Sequence, residues 1–221
     1  SSTGGQVNTL NGLTLDANVE TVTIAADTSL TTGGITAVGA KTVNVSGLAT
    51  TVDLGTLNSA VETVDASGLS AGGVTTTLNT VVTAFTGGAG KDTVTTAATT
   101  ASKAAIDGGA GSADVLVLAA TNDVSTAAKG AQYTNFETLK SLQTSTYDSS
   151  LISGLTALET GAAGAGFSEM TAALAENVTV SADLGTTATT YSLATATGSS
   201  DVLGLTFQSA TATTALDAGL L

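Results

Sequence analysis

The sequence predicts an all-β protein that folds as a parallel β-helix, or β-solenoid, whose coils repeat about every 21–22 positions. Two observations support this prediction. Short segments of alternating apolar and polar residues recur at a constant spacing, and two glycine-rich turns that contain aspartate follow at the same spacing. Such a repeat is typical of solenoids, because each coil buries its inward side chains against the next coil.

The first strand of the repeat is visible in the apolar positions Val22, Val43 and Val64, whose numbers differ by 21 at each step (43 − 22 and 64 − 43). Two further steps of the same size reach Phe85 and Ile106. Because side chains alternate between the two faces of a strand, we expect these five residues to form one inward column. The outward threonines beside them form a predicted ladder, which is usually structural, although flat threonine ladders also bind ice or crystalline surfaces.

A second strand is predicted in each coil, some nine to seventeen residues after the first. Its apolar segments are residues 35–38, 52–54, 74–78, Val94 and residues 116–118. These residues are small and β-branched, which suits the thin core that the composition implies, with 42% hydrophobic and only 3% aromatic residues.

The second half of the chain continues the pattern less regularly. Residues 119–135 break the alternation and are predicted to leave the coil. The repeat then resumes through Phe136, Leu158, Val180 and Val202, with a predicted step that is one position longer than before (158 − 136, 180 − 158 and 202 − 180). We therefore expect one elongated domain in two parts, residues 1–118 with coils that end in the glycine-rich turns and residues 119–221 with further coils and loop excursions.

One segment of the second half has two possible structures. Phe167, Met170 and Leu174 have helical spacing, so residues 167–176 are interpreted either as a short surface helix or as a poor strand.

The charge balance restricts the partners. Five lysines and no arginine stand against 18 acidic residues, a net charge of −13, which leaves no basic surface for nucleic acid or anionic lipid.

No apolar run of about 18 residues is present, so we expect no membrane insertion. Cysteine is absent, so an interaction other than a disulfide has to cross-link and stabilise the fold. Without an initiator methionine or a signal peptide, the sequence is expected to be an internal part of a longer chain.

The two glycine-rich turns, residues 87–92 and 108–114, predict a calcium site. Glycines let the backbone turn tightly, so that several carbonyl oxygens face one point beside a carboxylate. Such an oxygen cage suits calcium, whereas zinc prefers histidine or cysteine, which are both absent. The first turn fits the nonapeptide G-G-x-G-x-D-x-(apolar)-x, and the second has one inserted residue before Asp114. The alternative is that these runs are ordinary turns.

The predicted ligands come from both turns. Asp92 and Asp114 supply carboxylates, and Asp107 assists at the start of the second turn. A degenerate copy of the turn adds Asp201. The main-chain oxygens are those of Gly87, Gly88, Ala89, Gly90, Gly108, Gly109, Ala110 and Gly111. We expect one to three Ca²⁺ ions.

These motifs resemble the repeats-in-toxin (RTX) family. Together with the segments at 114–117, 135–139, 154–158 and 197–206, they are similar more narrowly to bacterial surface-layer (S-layer) proteins of the Caulobacter type, over about residues 80–210. The resemblance implies β-roll calcium turns, secretion by a one-step exporter and self-assembly into a lattice on the cell surface. Contact with a cell-surface polysaccharide is expected only from other parts of the chain.

Catalysis is not expected. Histidine, cysteine and arginine are absent, which removes the usual triads, thiol nucleophiles and oxyanion clamps. The acidic residues are mostly scattered, and Glu20 and Glu62 flank Lys41 in register as a solvated charge ladder. The expected function is a structural surface-layer segment. The alternatives are a stalk of a secreted adhesin and, less favoured, a polysaccharide-active enzyme on the same fold.

Overall fold

The computed structural model describes residues 7–97, 104–120, 122–185, 187–195 and 201–208. The described chain is almost entirely β-structure, with two short helices, α1 (Ala127–Gly130) and α2 (Ala172–Ala175), and a 3-10 turn at Ser149–Leu151. The strands are β1 (Asn8–Leu10), β2 (Leu13–Leu15), β3 (Thr21–Ala25), β4 (Leu30–Thr32), β5 (Ile35–Ala37), β6 (Thr42–Gly47), β7 (Thr51–Thr56), β8 (Thr63–Leu69), β9 (Gly73–Thr77), β10 (Ala84–Thr86), β11 (Thr93–Thr95), β12 (Ala105–Asp107), β13 (Val115–Leu118), β14 (Tyr133–Thr134), β15 (Thr138–Ser141), β16 (Thr146–Asp148), β17 (Ala157–Thr160), β18 (Gly166–Met170), β19 (Val178–Val180), β20 (Tyr191–Leu193) and β21 (Leu205–Phe207).

The strands stack as a parallel β-solenoid, which confirms the predicted fold class. A ten-stranded sheet runs along the molecule in the order β1-β4-β7-β9-β11-β13-β15-β17-β19-β21. A six-stranded sheet, β14-β12-β10-β8-β6-β3, and smaller sheets β16-β18-β20 and β2-β5 form the other sides. Strands in all four sheets pair in parallel, so each coil adds one rung to the stack.

The predicted inward column is confirmed in the six-stranded sheet. Val22, Val43, Val64, Phe85 and Ile106 are register partners in that order and are all buried. The next rung is at Tyr133, and the step to it is longer (133 − 106 against 106 − 85) because the chain leaves the coil between them. The predicted excursion over residues 119–135 is confirmed as far as β14, which returns to the coil inside that range, and the excursion contains α1, capped by Thr126.

The predicted second strands form the ten-stranded sheet, with one correction. Strands β7, β9, β11 and β13 cover the segments around Val52, Val74, Val94 and Leu116. Residues 35–38 do not belong to this sheet, because β5 pairs with β2 in a separate two-stranded sheet, and β4 supplies the rung instead. Here one coil has three short strands rather than two.

The equal spacing predicted for the second half is wrong. Leu158 pairs with Leu139 and Val178, and Val178 pairs with Leu205, so the steps in residue number differ from one another (158 − 139, 178 − 158 and 205 − 178). Phe136 is buried but lies between β14 and β15. Corner loops of different length leave the rungs in register, so equal spacing of apolar residues did not identify the partners.

The segment at 167–176 begins as a strand and ends as a short helix. Phe167 and Met170 both lie in β18 and are buried, although residues three apart in a regular strand face opposite sides. A register shift occurs between them, where Glu169 has a φ of 53°. This bulge turns both side chains inward and reproduces helical spacing. The helix is restricted to α2, whose N-cap is Thr171.

Candidate metal centre

One inward column of the ten-stranded sheet changes from apolar to acidic along the molecule. Val52 and Val74 are register partners at the start of β7 and β9, and both are fully buried. The pairing of Thr93 with Thr75 places Asp92 beside Val74 on the next coil, and the following pairings place Asp114 and then Glu137 in line. We refer to Asp92, Asp114 and Glu137 as the carboxylate ladder.

Each carboxylate of the ladder accepts a main-chain N–H from the preceding coil. Asp92 Oδ1 accepts from Val74 N at 2.6 Å, Asp114 Oδ1 from Asp92 N at 2.7 Å and Glu137 Oε2 from Asp114 N at 2.8 Å. The second oxygen of Asp92 accepts from Gly88 N at 3.0 Å, within its own turn. The carboxylates therefore hydrogen-bond successive coils to one another. A valine at the same position of the column cannot do this, because it has no acceptor.

The glycines of both turns are required mainly by close contacts between coils. A Cβ on Gly87 would lie 2.0 Å from the Gly108 oxygen and 2.7 Å from Asp92 Cγ. A Cβ on Gly111 would lie 2.8 Å from Asp114 Oδ2. Among the glycines proposed as ligands, only Gly109 has a positive φ, of 105°. A positive φ therefore accounts for only one of these glycines, and close contacts between coils account for the others.

Burial dominates the electrostatics of the ladder. Asp92 and Asp114 are both 0% exposed. Burial raises the pKa of Asp92 to about 7; the Val74 N–H opposes this shift and the charge of Asp114 adds to it. The pKa of Asp114 is raised to about 6, again mainly by burial, with the Asp92 N–H opposing and the charge of Glu137 adding. The ladder is a concentration of negative charge with little access to water.

One oxygen of the ladder has no hydrogen-bond partner. Asp114 Oδ2 is buried and unpaired, beside the position that a Gly111 Cβ would occupy. A buried acceptor without a donor costs about 1–3 kcal/mol, so the site favours a ligand that carries positive charge. Each carboxylate oxygen has two lone-pair positions, and Asp92 therefore also retains capacity beyond its two N–H bonds.

The donor set fits a hard cation that accepts mixed oxygen ligands. No group of three or more acidic, histidine or cysteine side chains converges on one point in the described part of the chain. Main-chain oxygens therefore have to complete any cage around the carboxylates, as calcium allows. One predicted carbonyl, that of Gly88, accepts the Ala110 N–H at 2.9 Å. The residues fit calcium, and the ion itself stays a prediction.

The other two predicted acids lie apart from the ladder. Asp107 Oδ1 accepts from Gly109 N at 2.9 Å and from Asn135 Nδ2 at 2.8 Å, so it ties two turns together, and its charge raises the pKa of Asp114. Asp201 is exposed and lies shortly before β21, away from the ladder. The glycine and serines predicted to turn before Asp201 lie outside the described residues.

Glu137 is the residue of the site that sequence reasoning missed. Like Glu20 and Glu62, it directly precedes a threonine at the start of a strand, so the local sequence does not set it apart from those two residues. The charge ladder itself is confirmed for Lys41 and Glu62, which form an exposed ion pair at 2.9 Å. Glu137 instead lies in the ten-stranded sheet, where the neighbouring rung carries Asp114. Its separation from Asp114 (137 − 114), close to one coil, was the available signal.

No family model matches the chain, and searches of curated proteins and of solved structures find no significant match. None of the helices in the described ranges is long and apolar enough to span a membrane. Any functional assignment therefore depends on the residues of the solenoid and on their geometry.

Proposed function

We propose that this chain is a structural, non-enzymatic segment of a secreted bacterial surface-layer protein, in which calcium stabilises the solenoid and copies of the protein assemble into a lattice. The observation that carries the calcium part is the buried Asp114 Oδ2, which has no hydrogen-bond partner. The lattice and the extracellular location rest on the resemblance of residues 80–210 to surface-layer proteins.

Calcium would be held by Asp114 and Asp92 together with main-chain oxygens of the two glycine-rich turns. A bound divalent cation neutralises carboxylates that otherwise repel one another in a buried position. Because the ligands come from successive coils and are not preorganised in the unfolded chain, the free energy of binding adds to the free energy of folding. The ion would act as the staple that a chain without cysteine lacks.

A structural role is favoured over a catalytic one by the burial of the acids. Asp92 and Asp114 are 0% exposed, so their carboxylates do not face a groove in which a polysaccharide could bind. The sequence also has no histidine, cysteine or arginine to act as a base, a nucleophile or an oxyanion clamp. The ladder instead contacts main-chain N–H groups, which suits a part of the framework.

The test combines circular dichroism with electron microscopy of the full-length protein. We expect strand signal and ordered sheets in about 1 mM calcium, the range in which extracellular calcium modules bind, and loss of both in a chelator. The Asp114→Asn variant should lose the calcium response, and the exposed Lys41→Ala variant should keep it.

Two other results would change the assignment. If the protein stays a monomeric rod in calcium while its strand signal remains calcium-dependent, the lattice proposal fails and an adhesin stalk becomes the better assignment. If a chelator changes neither assembly nor strand content, the glycine-rich turns are only turns and the calcium proposal fails.

A further inference from the structure

A third buried carboxylate lies in a different corner of the solenoid, after the strands of the ten-stranded sheet. Asp123 belongs to the excursion between β13 and β14 and is 1% exposed. Thr96, after β11, and Tyr147, in β16, are also buried and come from the coils on either side. We call Asp123, Thr96, Ser145 and Tyr147 the Asp123 cluster. It is separate from the carboxylate ladder, which lies before the strands.

One of the two oxygens of the Asp123 carboxylate has hydrogen-bond donors. Its Oδ2 accepts from the Thr96 hydroxyl and from Ala120 N, the latter at 3.0 Å. Thr96 Oγ1 also accepts from Ala119 N at 3.1 Å, and the Tyr147 hydroxyl donates to the Ala120 oxygen at 3.2 Å. These bonds join three successive coils, so the carboxylate position is fixed by the fold.

Two oxygens of the cluster have no partner. Asp123 Oδ1 and Ser145 Oγ are both buried, and neither makes a hydrogen bond. The described ion pairs are Lys41 with Glu62 and Lys140 with Glu159, so no described lysine forms an ion pair with Asp123. Lys129 Nζ donates to the neighbouring Asn122 oxygen at 2.6 Å instead. A buried carboxylate without a donor or a countercharge is unfavourable, and proteins usually pair it with a cation.

Tyr147 borders the rest of the cluster, because its hydroxyl donates to the oxygen of Ala120, whose N–H binds Asp123. Burial raises the pKa of its phenol, and the negative charge of Asp123 raises it further. The hydroxyls of Ser145 and Ser141 lie near enough to lower that pKa, although Ser145 Oγ is outside hydrogen-bonding geometry. Tyr147 is therefore a neutral phenol at physiological pH, and its oxygen is available as a lone-pair donor beside the carboxylate.

We propose that the Asp123 cluster binds a monovalent hard cation of the sodium type, with Asp123 Oδ1 and Ser145 Oγ as ligands and the Tyr147 hydroxyl bordering the site. All available donors are oxygens, which excludes a preference for soft metals. One carboxylate balances one monovalent charge, whereas a divalent ion would leave a buried positive charge. The bound ion would fasten the excursion to the coils before and after it.

This proposal does not depend on calcium binding at the carboxylate ladder, and the test keeps the two apart. Thermal unfolding is measured at constant saturating calcium, in sodium chloride and in choline chloride of equal ionic strength. We expect the wild-type protein to unfold at a higher temperature in sodium, because choline is too large for the site. Asp123→Asn should remove that difference, and Ser145→Ala should reduce it. Asp16→Asn, the matched control, removes an exposed carboxylate outside both sites and should keep it.

A structural readout completes the experiment. Crystals soaked in a thallium(I) salt should show an anomalous peak beside Asp123 that is absent from Asp123→Asn crystals. Equal unfolding temperatures in sodium and choline, together with no peak, would overturn the proposal. The proposal is also overturned if Lys129→Met, which removes the ammonium group on the Asn122 oxygen, destabilises the protein as Asp123→Asn does without any sodium dependence, since Lys129 would then be the countercharge.

Discussion

The same inward column of the ten-stranded sheet is apolar in one half of the molecule and acidic in the other. Val52 and Val74 pack there as ordinary core residues, and on the following coils Asp92 and Asp114 take their place with equal burial. The backbone register is the same in both halves. What changes is the residue at the rung and the turn before it, in which Gly88 N donates to Asp92.

The difference shows that one part of the core stabilises the fold under all conditions, whereas another part does so only at a suitable pH or with bound cations. Buried valines stabilise the solenoid at any pH and in any salt, because their contribution comes from apolar surface removed from water. Buried aspartates stabilise it only through their hydrogen bonds and through whatever neutralises their charge. The acidic half is therefore expected to respond to pH and to cations, and the valine half is not. The following changes test that contrast, from the largest expected effect to the smallest.

Gly87→Ala should have the largest effect. The new Cβ would lie 2.0 Å from the Gly108 oxygen, so the two coils must separate at the ladder. We expect a loss of about 3 kcal/mol or more in the free energy of unfolding, measured by urea denaturation. Gly55→Ala is the matched control: its φ of 62° adds backbone strain, but the nearest atom is 3.7 Å away, and about 1 kcal/mol should be lost. Equal losses in both variants would contradict the close-contact explanation.

Asp114→Ala and Val74→Ala compare the two kinds of rung directly. Asp114→Ala leaves the Asp92 N–H buried without an acceptor and should lose about 2 kcal/mol, with a larger loss in calcium than in a chelator. Val74→Ala creates a small cavity and should lose about 2 kcal/mol whether or not calcium is present. Urea denaturation in both conditions measures the difference. A calcium-dependent loss in Val74→Ala would show that the two halves are not distinct.

Acid should stabilise the calcium-free protein. The folded-state pKa of Asp92 is about 7 and that of Asp114 about 6, both above the unfolded value of 3.8. The folded state therefore binds more protons than the unfolded state between about pH 4 and about pH 7, and stability falls as the pH rises through that window. Over two pH units within this window, the free energy of unfolding should change by an amount on the order of 2 kcal/mol.

Thermal unfolding in a chelator, measured from about pH 5 to about pH 8, checks this expectation. Asp92→Asn should flatten the profile. Calcium should reverse the trend, because it binds deprotonated carboxylates and gains affinity as the pH rises. A chelated wild-type protein that becomes more stable above about pH 7 would contradict the assignment of raised pKa values.

Lys41→Ala should have the smallest effect. The ion pair of Lys41 with Glu62 is exposed, with 61% and 46% of the two side chains accessible. Such pairs contribute between zero and about 1 kcal/mol, and salt screens them. We expect no measurable shift of the urea denaturation midpoint and no change in the calcium response. A loss comparable to that of Asp114→Ala would mean that burial is not what distinguishes the two ladders.

Much of the fold followed from the sequence, because the even spacing of Val22, Val43 and Val64 reflects direct register pairing. The later coils were not predictable in the same way. Corner loops add or remove residues without disturbing the rungs, so the steps there vary, and the bulge at Glu169 places two residues with helical spacing on one face of a strand. Periodicity identifies coils only while the corners keep their length.

The candidate site was predicted in part for a related reason. Asp92 and Asp114 were identified by the glycine pattern before them, which is local in the sequence. The environment of Glu137 is not local: Glu62-Thr-Val and Glu137-Thr-Leu are nearly the same, yet one glutamate pairs with an exposed lysine and the other accepts the N–H of Asp114. The two glutamates differ only in the residue that lies beside them on the neighbouring coil, and their local sequence does not indicate which residue that is.

The most direct test of the carboxylate ladder is calorimetric titration of calcium into the wild-type protein, Asp114→Asn and Lys41→Ala at about pH 7.5. We expect heat of binding for the wild-type protein and for Lys41→Ala, and its loss for Asp114→Asn, which keeps an acceptor oxygen for the Asp92 N–H but lacks the charge. Equal binding in all three proteins, or no binding in any, would contradict the assignment of calcium to this column.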